Sequence, residues 1–325
     1  MNFTPRYLAA KRRTDAYLEA FIQREKPDSL YAPAKYIVRA GGKRIRPVLT
    51  LFACRAVGGN EREAIHAAAA MEIVHTFTLV HDDIMDHAPS RRGKPTVHTK
   101  WDTNVAILTG DALLALAYRA LLKTSSDRIR EISRVFTEGV VDVCEGQAYD
   151  KEFETRRVVS VDDYLLMIRK KTGTLVAVAT ELGGLIGGAP PSQRTALRRY
   201  GEYLGRAFQI QDDLLDLVGD VKTFGKAIGG DLVEGKKTFL LLEALRRSTG
   251  RDRSKLMRLI REEGIPRREV PAYREVIRSS GALETAEKRI LQDVRRAIRE
   301  LDRLPASQGR SMLAWFAEML LHRTF

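Results

Sequence analysis

The 325-residue sequence contains only two cysteines, Cys54 and Cys144, and no run of 18 uncharged apolar residues. Two cysteines exclude a disulfide framework and favour reduced thiols, as in the cytosol. Without a long apolar run we expect no transmembrane segment, and residues 1–13 lack the apolar region of a secretory signal. The sequence therefore predicts a cytoplasmic protein.

Charge and hydrophobicity place the chain among folded proteins with an anionic partner. Hydrophobic residues make up 44% of the sequence and charged residues 30%, which permits a large core and excludes a disordered chain. The 55 Lys and Arg exceed the 42 Asp and Glu, giving a formal charge of +13. This surplus suggests nucleic acid, a membrane surface or a phosphorylated small molecule as partner. Composition does not choose among them.

Apolar residues recur at helical spacing along almost the whole chain, and alternating strand patterns are nearly absent. Asn60, with Glu63 three residues later, is predicted to cap a long helix that runs toward Asp86. Further helices are expected around residues 104–123, 127–150, 162–172, 174–188, 193–218, 237–248, 252–263, 268–279, 282–303 and 308–322. No Pro/Ser-rich linker or internal repeat divides the chain, so we predict one all-α domain over residues 1–325.

Two Asp-Asp-x-x-Asp motifs, at residues 82–86 and 212–216, each follow an apolar helical run. The outer aspartates of each motif are four residues apart, so they share one helix face. Their like charges favour a bound cation, and carboxylates that leave coordination positions open suit Mg²⁺ with a phosphate substrate. One such motif is weak support for a site, whereas two on facing helices are strong support. The predicted metal ligands are Asp82, Asp86, Asp212 and Asp216.

Basic clusters accompany the acidic motifs. The segment 41–47, Gly-Gly-Lys-Arg-Ile-Arg-Pro, places three cations before a helix whose positive end also attracts anions. A second cluster, 91–94, follows the first motif, and a glycine-rich loop, 220–236, carries three lysines. Phosphate-binding cations, metal-binding acids and apolar helix walls together indicate chemistry that removes a diphosphate from an apolar carbon skeleton.

The helix faces that lead to the two motifs differ in composition. On the first helix His75 lies two turns before Asp82, on nearly the same face. On the second, Gly201 and Gly205 precede Gln209 on the face of Asp212. Each glycine costs a helix roughly 1 kcal/mol, so these two should serve a purpose. They either make room for a bulky apolar ligand or permit close helix packing.

Taken together, these motifs resemble the trans-isoprenyl diphosphate synthase family, also called polyprenyl synthetases, over essentially the whole chain. The matching segments are 41–47, both aspartate motifs, 91–93, Gly110-Asp111, Lys171-Thr172, Phe208-Gln209-x-Gln211 and Gly225-Lys226 with Lys236. The resemblance implies a bundle of long antiparallel helices around a central active-site cavity, usually in a homodimer. It further implies condensation of isopentenyl diphosphate with dimethylallyl, geranyl or farnesyl diphosphate, assisted by up to three Mg²⁺ ions, for which Mn²⁺ could substitute.

The resemblance also assigns roles to individual residues. The four aspartates named above would hold the metal ions, and Thr172 and Gln209 would line the reacting centre. The allylic diphosphate would be bound by Arg91, Lys171, Lys226 and Lys236, and the isopentenyl diphosphate by Lys43, Arg46, His75 and Arg92. Asp83 and Asp213 point away from the metal-binding face and are expected to support it.

Product length is predicted from the residues just before the first motif. Phe77 stands five residues before Asp82, where family members place a bulky cavity floor, and Thr78 is small. This resembles geranylgeranyl diphosphate synthases, which make a twenty-carbon product; a farnesyl or bifunctional farnesyl/geranylgeranyl synthase is the alternative. Since Phe77 lies about 140° from Asp82 around the helix, it reaches the pocket from its flank or a neighbouring helix supplies the floor.

Three other functions are less consistent with the sequence. A class I terpene cyclase also uses an Asp-Asp-x-x-Asp motif, but its second metal motif normally mixes Asn, Ser or Thr with Glu. A His-Asp metal phosphohydrolase, suggested by His81-Asp82, needs further histidines that are poorly arranged here. A basic nucleic-acid-binding helical protein would use the positive charge but leave the acidic motifs unexplained. We therefore expect no nucleic-acid partner.

Overall fold

The computed structural model describes residues 2–23, 26–219 and 228–321, so Lys226 lies outside the described residues. The all-α prediction is confirmed. The α-helices are α1 Thr4–Phe21, α2 Asp28–Arg39, α3 Ile45–Ala56, α4 Ile65–Met85, α5 Val97–Lys100, α6 Thr103–Leu121, α7 Ile129–Thr155, α8 Val161–Ile168, α9 Thr174–Ile186, α10 Pro191–Val218, α11 Gly230–Val233, α12 Phe239–Arg247, α13 Gly250–Arg261, α14 Val270–Ser279, α15 Ala282–Glu300 and α16 Gln308–Leu321. A π-helix, Arg169–Gly173, joins α8 to α9, and 3₁₀ turns span Arg267–Glu269 and Leu301–Arg303.

The start of α4 differs from the sequence prediction. The helix begins at Ile65 after Ala64, not near Asn60. Asn60 instead accepts a hydrogen bond from the backbone N–H of Arg62, two residues on, and thereby forms a turn of its own. Asparagine side chains compete with the helix in this way, so the predicted cap residue serves a turn that precedes the helix.

A two-stranded antiparallel hairpin follows the first aspartate motif. Strands β1 Ser90–Arg91 and β2 Lys94–Pro95 pair Ser90 with Pro95 and Arg91 with Lys94. The turn between them, Arg92-Gly93, has positive φ at both residues, which is the backbone twist that a two-residue hairpin requires. The basic cluster at 91–94 is therefore this hairpin.

The chain divides into two compact units. The first contains residues 1–140, 178–198 and 301–315, and the second contains 141–177, 199–300 and 316–325. The prediction of a single domain stays a prediction. In the first unit α4 packs most extensively against α6 and also against α3, and residues 67–71 of α4 are completely buried. This burial explains why residues 67–71 carry no polar side chain.

One helix in the described ranges, α6, is long and apolar enough to cross a membrane, and 44% of the relevant window is buried inside the protein. Its closest packing partner is α4. A single helix that meets a length-and-composition test is weak support for a membrane span, since core helices of globular proteins meet it too.

Candidate active site

Asp82 and Asp86 lie at the carboxyl end of α4. The backbone N–H of Asp86 donates to the carbonyl of Asp82 at 2.9 Å, so the two residues are one helical turn apart although Asp86 stands just past the end of the helix. Both side chains are half-buried. The first unit therefore presents two carboxylates together at a helix end.

The hairpin places Arg91 against this motif. Arg91 Nε donates to Asp83 Oδ1 at 2.7 Å, and its guanidinium lies 3.9 Å from Asp82 Oδ2. Asp83 is buried; burial raises the pKa of its carboxyl, and Arg91 opposes the rise. Asp83 thus holds the guanidinium beside Asp82, and its supporting role in the site stays a prediction.

Within the basic segment 41–47 the neighbouring residues Lys43 and Arg44 have different surroundings. Lys43 is exposed, while Arg44 is buried with left-handed backbone (φ 54°). Arg44 donates to Glu72 Oε1 at 2.6 Å, to Asp15 Oδ1 at 2.7 Å and to the Val38 carbonyl at 2.9 Å. Arg44 therefore anchors the segment to α1, α2 and α4 while Lys43 faces solvent. The sequence showed three equivalent cations and did not reveal this division.

Arg92 and His75 complete a basic cluster in the first unit. Arg92 donates to the carbonyl of Gly41, and its guanidinium lies over Gly42, 2.8 Å from where a Cβ would stand. Burial and the nearby charges of Arg46 and Arg92 hold the pKa of His75 well below its usual range. The imidazole is therefore neutral at pH 7. The cations predicted for the isopentenyl diphosphate share this region.

Phe77 packs on the α6 side of α4. Its side chain is 8% exposed and meets the His81 ring edge to face, with 4.9 Å between ring centroids. His81 in turn lies against α6, where a Cβ on Gly110 would come within 2.1 Å of Nε2. Thr78, half-buried, donates its hydroxyl to the His75 carbonyl. The absence of a side chain at Gly110 therefore makes space for the His81 ring, and that ring packs against Phe77.

The second motif is the centre of a hydrogen-bond network on α10. Thr172 Oγ1 donates to Gln209 Oε1 at 2.9 Å, and Gln209 Nε2 donates to Asp213 Oδ1 at 3.1 Å. The buried Asp213 also accepts from the Tyr164 hydroxyl and from the Phe239 N–H. Burial raises the pKa of the Asp213 carboxyl, and these hydrogen bonds oppose the rise. The network orients Thr172 and Gln209 and leaves Asp212 and Asp216 half-buried on α10.

Asp231 is a residue of this site that sequence reasoning missed. Its N–H donates to Asp216 Oδ2 at 3.1 Å, and the Gly229 N–H donates to the Asp216 carbonyl at 2.8 Å. Burial and the charges of Asp213 and Asp216 raise the pKa of the Asp231 carboxyl. The sequence Gly229-Gly230-Asp231, within the glycine-rich loop, was the available signal for Asp231, because glycines permit a close approach of the backbone.

Two predicted lysines of the second unit are paired with acids. Lys171 Nζ donates to Asp150 Oδ2 at 2.6 Å, and Lys236 Nζ lies 2.7 Å from Glu234 Oε2. Lys171 lies in the π-helix before α9 and contacts α7, whereas Lys236 follows α11. A diphosphate that bound either lysine would displace the acidic partner or share the lysine with it.

The donor chemistry of both motifs fits a divalent cation. In the part of the chain that the structure describes, no group of three His, Cys, Asp or Glu side chains is arranged to hold a metal ion by itself. Each motif offers carboxylate oxygens one helical turn apart, a donor set that leaves positions for water and substrate phosphate. Mg²⁺ prefers this arrangement, since it keeps several waters and binds through one or two carboxylates plus phosphate oxygens.

Known proteins resemble this chain in sequence and in structure. The polyprenyl synthetase family matches residues 27–277. A short chain isoprenyl diphosphate synthase from Methanothermobacter thermautotrophicus is 41% identical over 298 residues, 91% of either chain. A geranylgeranyl pyrophosphate synthase from Geoglobus acetivorans is 38% identical and covers 94% of either chain. Among solved structures, a geranylgeranyl pyrophosphate synthase superposes with a TM-score of 0.91 at 38% identity, covering 99% of either chain.

Proposed function

Because the chain belongs to the polyprenyl synthetase family, we propose that it is a short-chain trans-prenyltransferase whose main product is geranylgeranyl diphosphate. A synthase of this family is a transferase, and its substrates are isopentenyl diphosphate and an allylic diphosphate. Relatives named geranylgeranyl synthases favour the twenty-carbon product over the fifteen-carbon alternative. The family also disfavours a terpene cyclase or a nucleic-acid-binding protein. The cytoplasmic location stays a prediction.

The observation that carries this proposal is the basic cluster beside the first acidic motif. Arg46 and Arg92 lie close enough to His75 to lower its pKa, and Arg91 pairs with Asp83 next to Asp82. Several cations held near carboxylates suit a diphosphate and a divalent cation bound together. A neutral His75 can donate a hydrogen bond to the isopentenyl diphosphate without adding charge.

In the proposed reaction the residues of the chain bind, orient and shield the substrates. Lys43, Arg46, His75 and Arg92 hold the isopentenyl diphosphate, while Arg91, Lys171, Lys226 and Lys236 hold the allylic diphosphate. Magnesium held by Asp82, Asp86, Asp212 and Asp216 would supply positive charge to the departing diphosphate. The allylic C–O bond breaks, the isopentenyl double bond forms the new C–C bond, and a proton leaves to the released diphosphate. Thr172 and Gln209 turn their oxygens toward the positive charge that develops.

Diphosphate release tests this proposal and separates it from its competitors. Release should require Mg²⁺, the allylic diphosphate and isopentenyl diphosphate together, and should stop when a chelator removes the metal. Release from the allylic diphosphate alone, with cyclised or hydrolysed products, would instead indicate a cyclase or a phosphohydrolase.

Phe77→Ala should lengthen the product. The substitution removes a buried ring from the α4 surface just before the first motif, and an apolar chain can occupy the volume that is freed. We expect the main product of the variant to gain one or more five-carbon units, as measured by chromatography of the dephosphorylated alcohols. Thr78→Ser, a smaller change on the adjacent position, is the control. An unchanged product distribution for Phe77→Ala would show that another residue limits the length of the prenyl product.

We also propose that a second copy of the chain covers α6. Leu108, Ala115 and Leu122 recur at seven-residue spacing, so they lie on one face, and Leu108 and Leu122 are 59% and 61% exposed. A row of exposed apolar residues on a core helix is typical of an interface. The family resemblance implies a homodimer, which is the occupant that we favour.

Leu108→Glu should dissociate this dimer. A charge within a buried apolar interface is strongly unfavourable, so the variant should elute as a monomer in gel filtration with light scattering. The matched control is Leu291→Glu on α15, which is also exposed but lies in the second unit. A monomeric wild-type protein would contradict the proposed dimer.

A further inference from the structure

The segment between α8 and α9 is a five-residue π-helix, Arg169–Gly173. The Thr174 N–H donates to the carbonyl of Arg169, five residues back, so one more residue is accommodated than in an α-helix. Short π-segments are energetically unfavourable and occur frequently at functional sites. This one contains Lys171 and Thr172, two residues with proposed roles, and also Lys170, which has none.

Glycines on two helices let the π-segment approach their backbones. A Cβ on Gly146 of α7 would lie 2.2 Å from the N atom of Lys171, and a Cβ on Gly205 of α10 would lie 2.6 Å from the Cα of Gly173. Neither position has room for a side chain. Gly205 therefore permits close helix packing, one of the two purposes that the sequence left open. These contacts hold the π-segment against both helices.

Ion pairs between the π-segment and α7 lie around the Gly146 contact and reinforce it. Lys170 Nζ donates to Asp142 Oδ1 at 2.6 Å and also to Glu145, and its side chain is 15% exposed. Lys171 reaches in the opposite direction along α7, to Asp150. Asp142, Gly146 and Asp150 have four-residue spacing and share one face of α7. The two lysines therefore bind α7 on either side of the Gly146 contact.

We propose that Lys170 is a positioning residue, which fixes the π-segment along α7 so that Lys171 and Thr172 are correctly placed for the allylic substrate. The inference rests on the proposed function and deepens it. Lys170 has two acidic partners and little exposure, and so acts as a permanent anchor. Lys171 is paired with Asp150, a contact that a diphosphate could replace or share. Misplacement of catalytic groups by about 1 Å can cost about 10²-fold in rate, so a distant anchor can affect turnover.

Lys170→Met tests the anchor because methionine has a side chain of similar length to lysine but carries no charge. We expect kcat/KM for the allylic diphosphate to fall about 10- to 100-fold, while KM for isopentenyl diphosphate stays within about twofold because its proposed ligands lie elsewhere in the chain. Lys170→Arg keeps both ion pairs and should restore kcat/KM to within about threefold of wild type. Arg169→Met, which removes an exposed charge from the same π-segment, should behave as wild type.

A second set of variants keeps the inference testable if Lys170→Met does not fold. Asp142→Asn combined with Glu145→Gln removes the anchor from the α7 side and should reproduce the selective loss. Where the Lys170 variant does fold, combining it with these two should cost no more than either change alone, since one interaction is removed.

The possible outcomes distinguish a failure of the positioning role from a failure of the proposed function. An active wild type whose anchor variants raise KM for isopentenyl diphosphate as strongly as they lower kcat/KM for the allylic diphosphate, or lose only thermal stability, would overturn the positioning role. So would a failure of Lys170→Arg to restore activity. A folded wild type without any condensation activity would contradict the proposed function itself, and this inference with it.

Discussion

Asp82→Asn should reduce the rate of condensation by about 10³-fold or more while the protein stays folded. Asparagine keeps the shape of the side chain but removes the negative charge that would hold a divalent cation at the allylic diphosphate. A metal ion contributes several kcal/mol of charge stabilisation in a transition state, and each 1.4 kcal/mol corresponds to about a factor of ten. The measurement is the rate of incorporation of labelled isopentenyl diphosphate at saturating Mg²⁺.

The same substitution should not lower stability. The charge of Asp82 raises the pKa of the buried Asp83, so its removal relieves a repulsion. Chemical denaturation should therefore give a free energy of unfolding equal to or above the wild-type value. Asp127→Asn, an exposed site in the same unit, controls for the loss of one negative charge. Wild-type activity for Asp82→Asn, at any Mg²⁺ concentration, would contradict the assigned role.

Glu72→Gln should lower the free energy of unfolding by about 3 kcal/mol or more. The side chains of Arg44 and Glu72 are only 4% and 3% exposed and are joined at 2.6 Å. Removing the charge of Glu72 leaves the buried guanidinium with Asp15 as its remaining carboxylate partner, which is a costly arrangement. Urea denaturation measures the change, and KM for isopentenyl diphosphate should rise because Lys43 and Arg46 flank Arg44.

An exposed ion pair of the same unit gives the matched control. Glu19 and Arg39 are 66% and 61% exposed and 2.8 Å apart, so Glu19→Gln should cost less than about 1 kcal/mol. Replacing both Arg44 and Glu72 with Met should recover part of the loss, because no buried charge is then left uncompensated. If Glu72→Gln costs no more than Glu19→Gln, the buried pair does not stabilise the fold.

Helix positions could be predicted closely because apolar periodicity is a local signal. The predicted helix at 193–218 is observed as Pro191–Val218, and the one at 308–322 as Gln308–Leu321. Where the chain uses a turn, the prediction failed: Asn60 forms a turn of its own rather than the helix cap. The π-segment at 169–173 was not predicted either, since glycines on α7 and α10 that are distant in sequence permit it.

In the candidate site, too, local spacing predicts some residues, whereas others depend on contacts between residues distant in sequence. Asp82, Asp86, Asp212 and Asp216 could be proposed from their spacing alone, because residues four apart share a helix face. Which cation of residues 43–46 is buried depends on Asp15 and Glu72, which lie on other helices, so this could not be predicted from local sequence. Tyr164, Asp231 and Lys170 could not be predicted as parts of the site, because they join it through contacts with residues 15 to 49 positions away.

Product sizing after a single incubation tests the central claim most directly. The purified wild-type chain is mixed with Mg²⁺, labelled isopentenyl diphosphate and, separately, dimethylallyl, geranyl or farnesyl diphosphate, and the labelled products are dephosphorylated and separated by length. We predict condensation with an allylic primer and a dominant twenty-carbon product. A correctly folded protein that transfers no isopentenyl unit to any of the three primers would contradict the account.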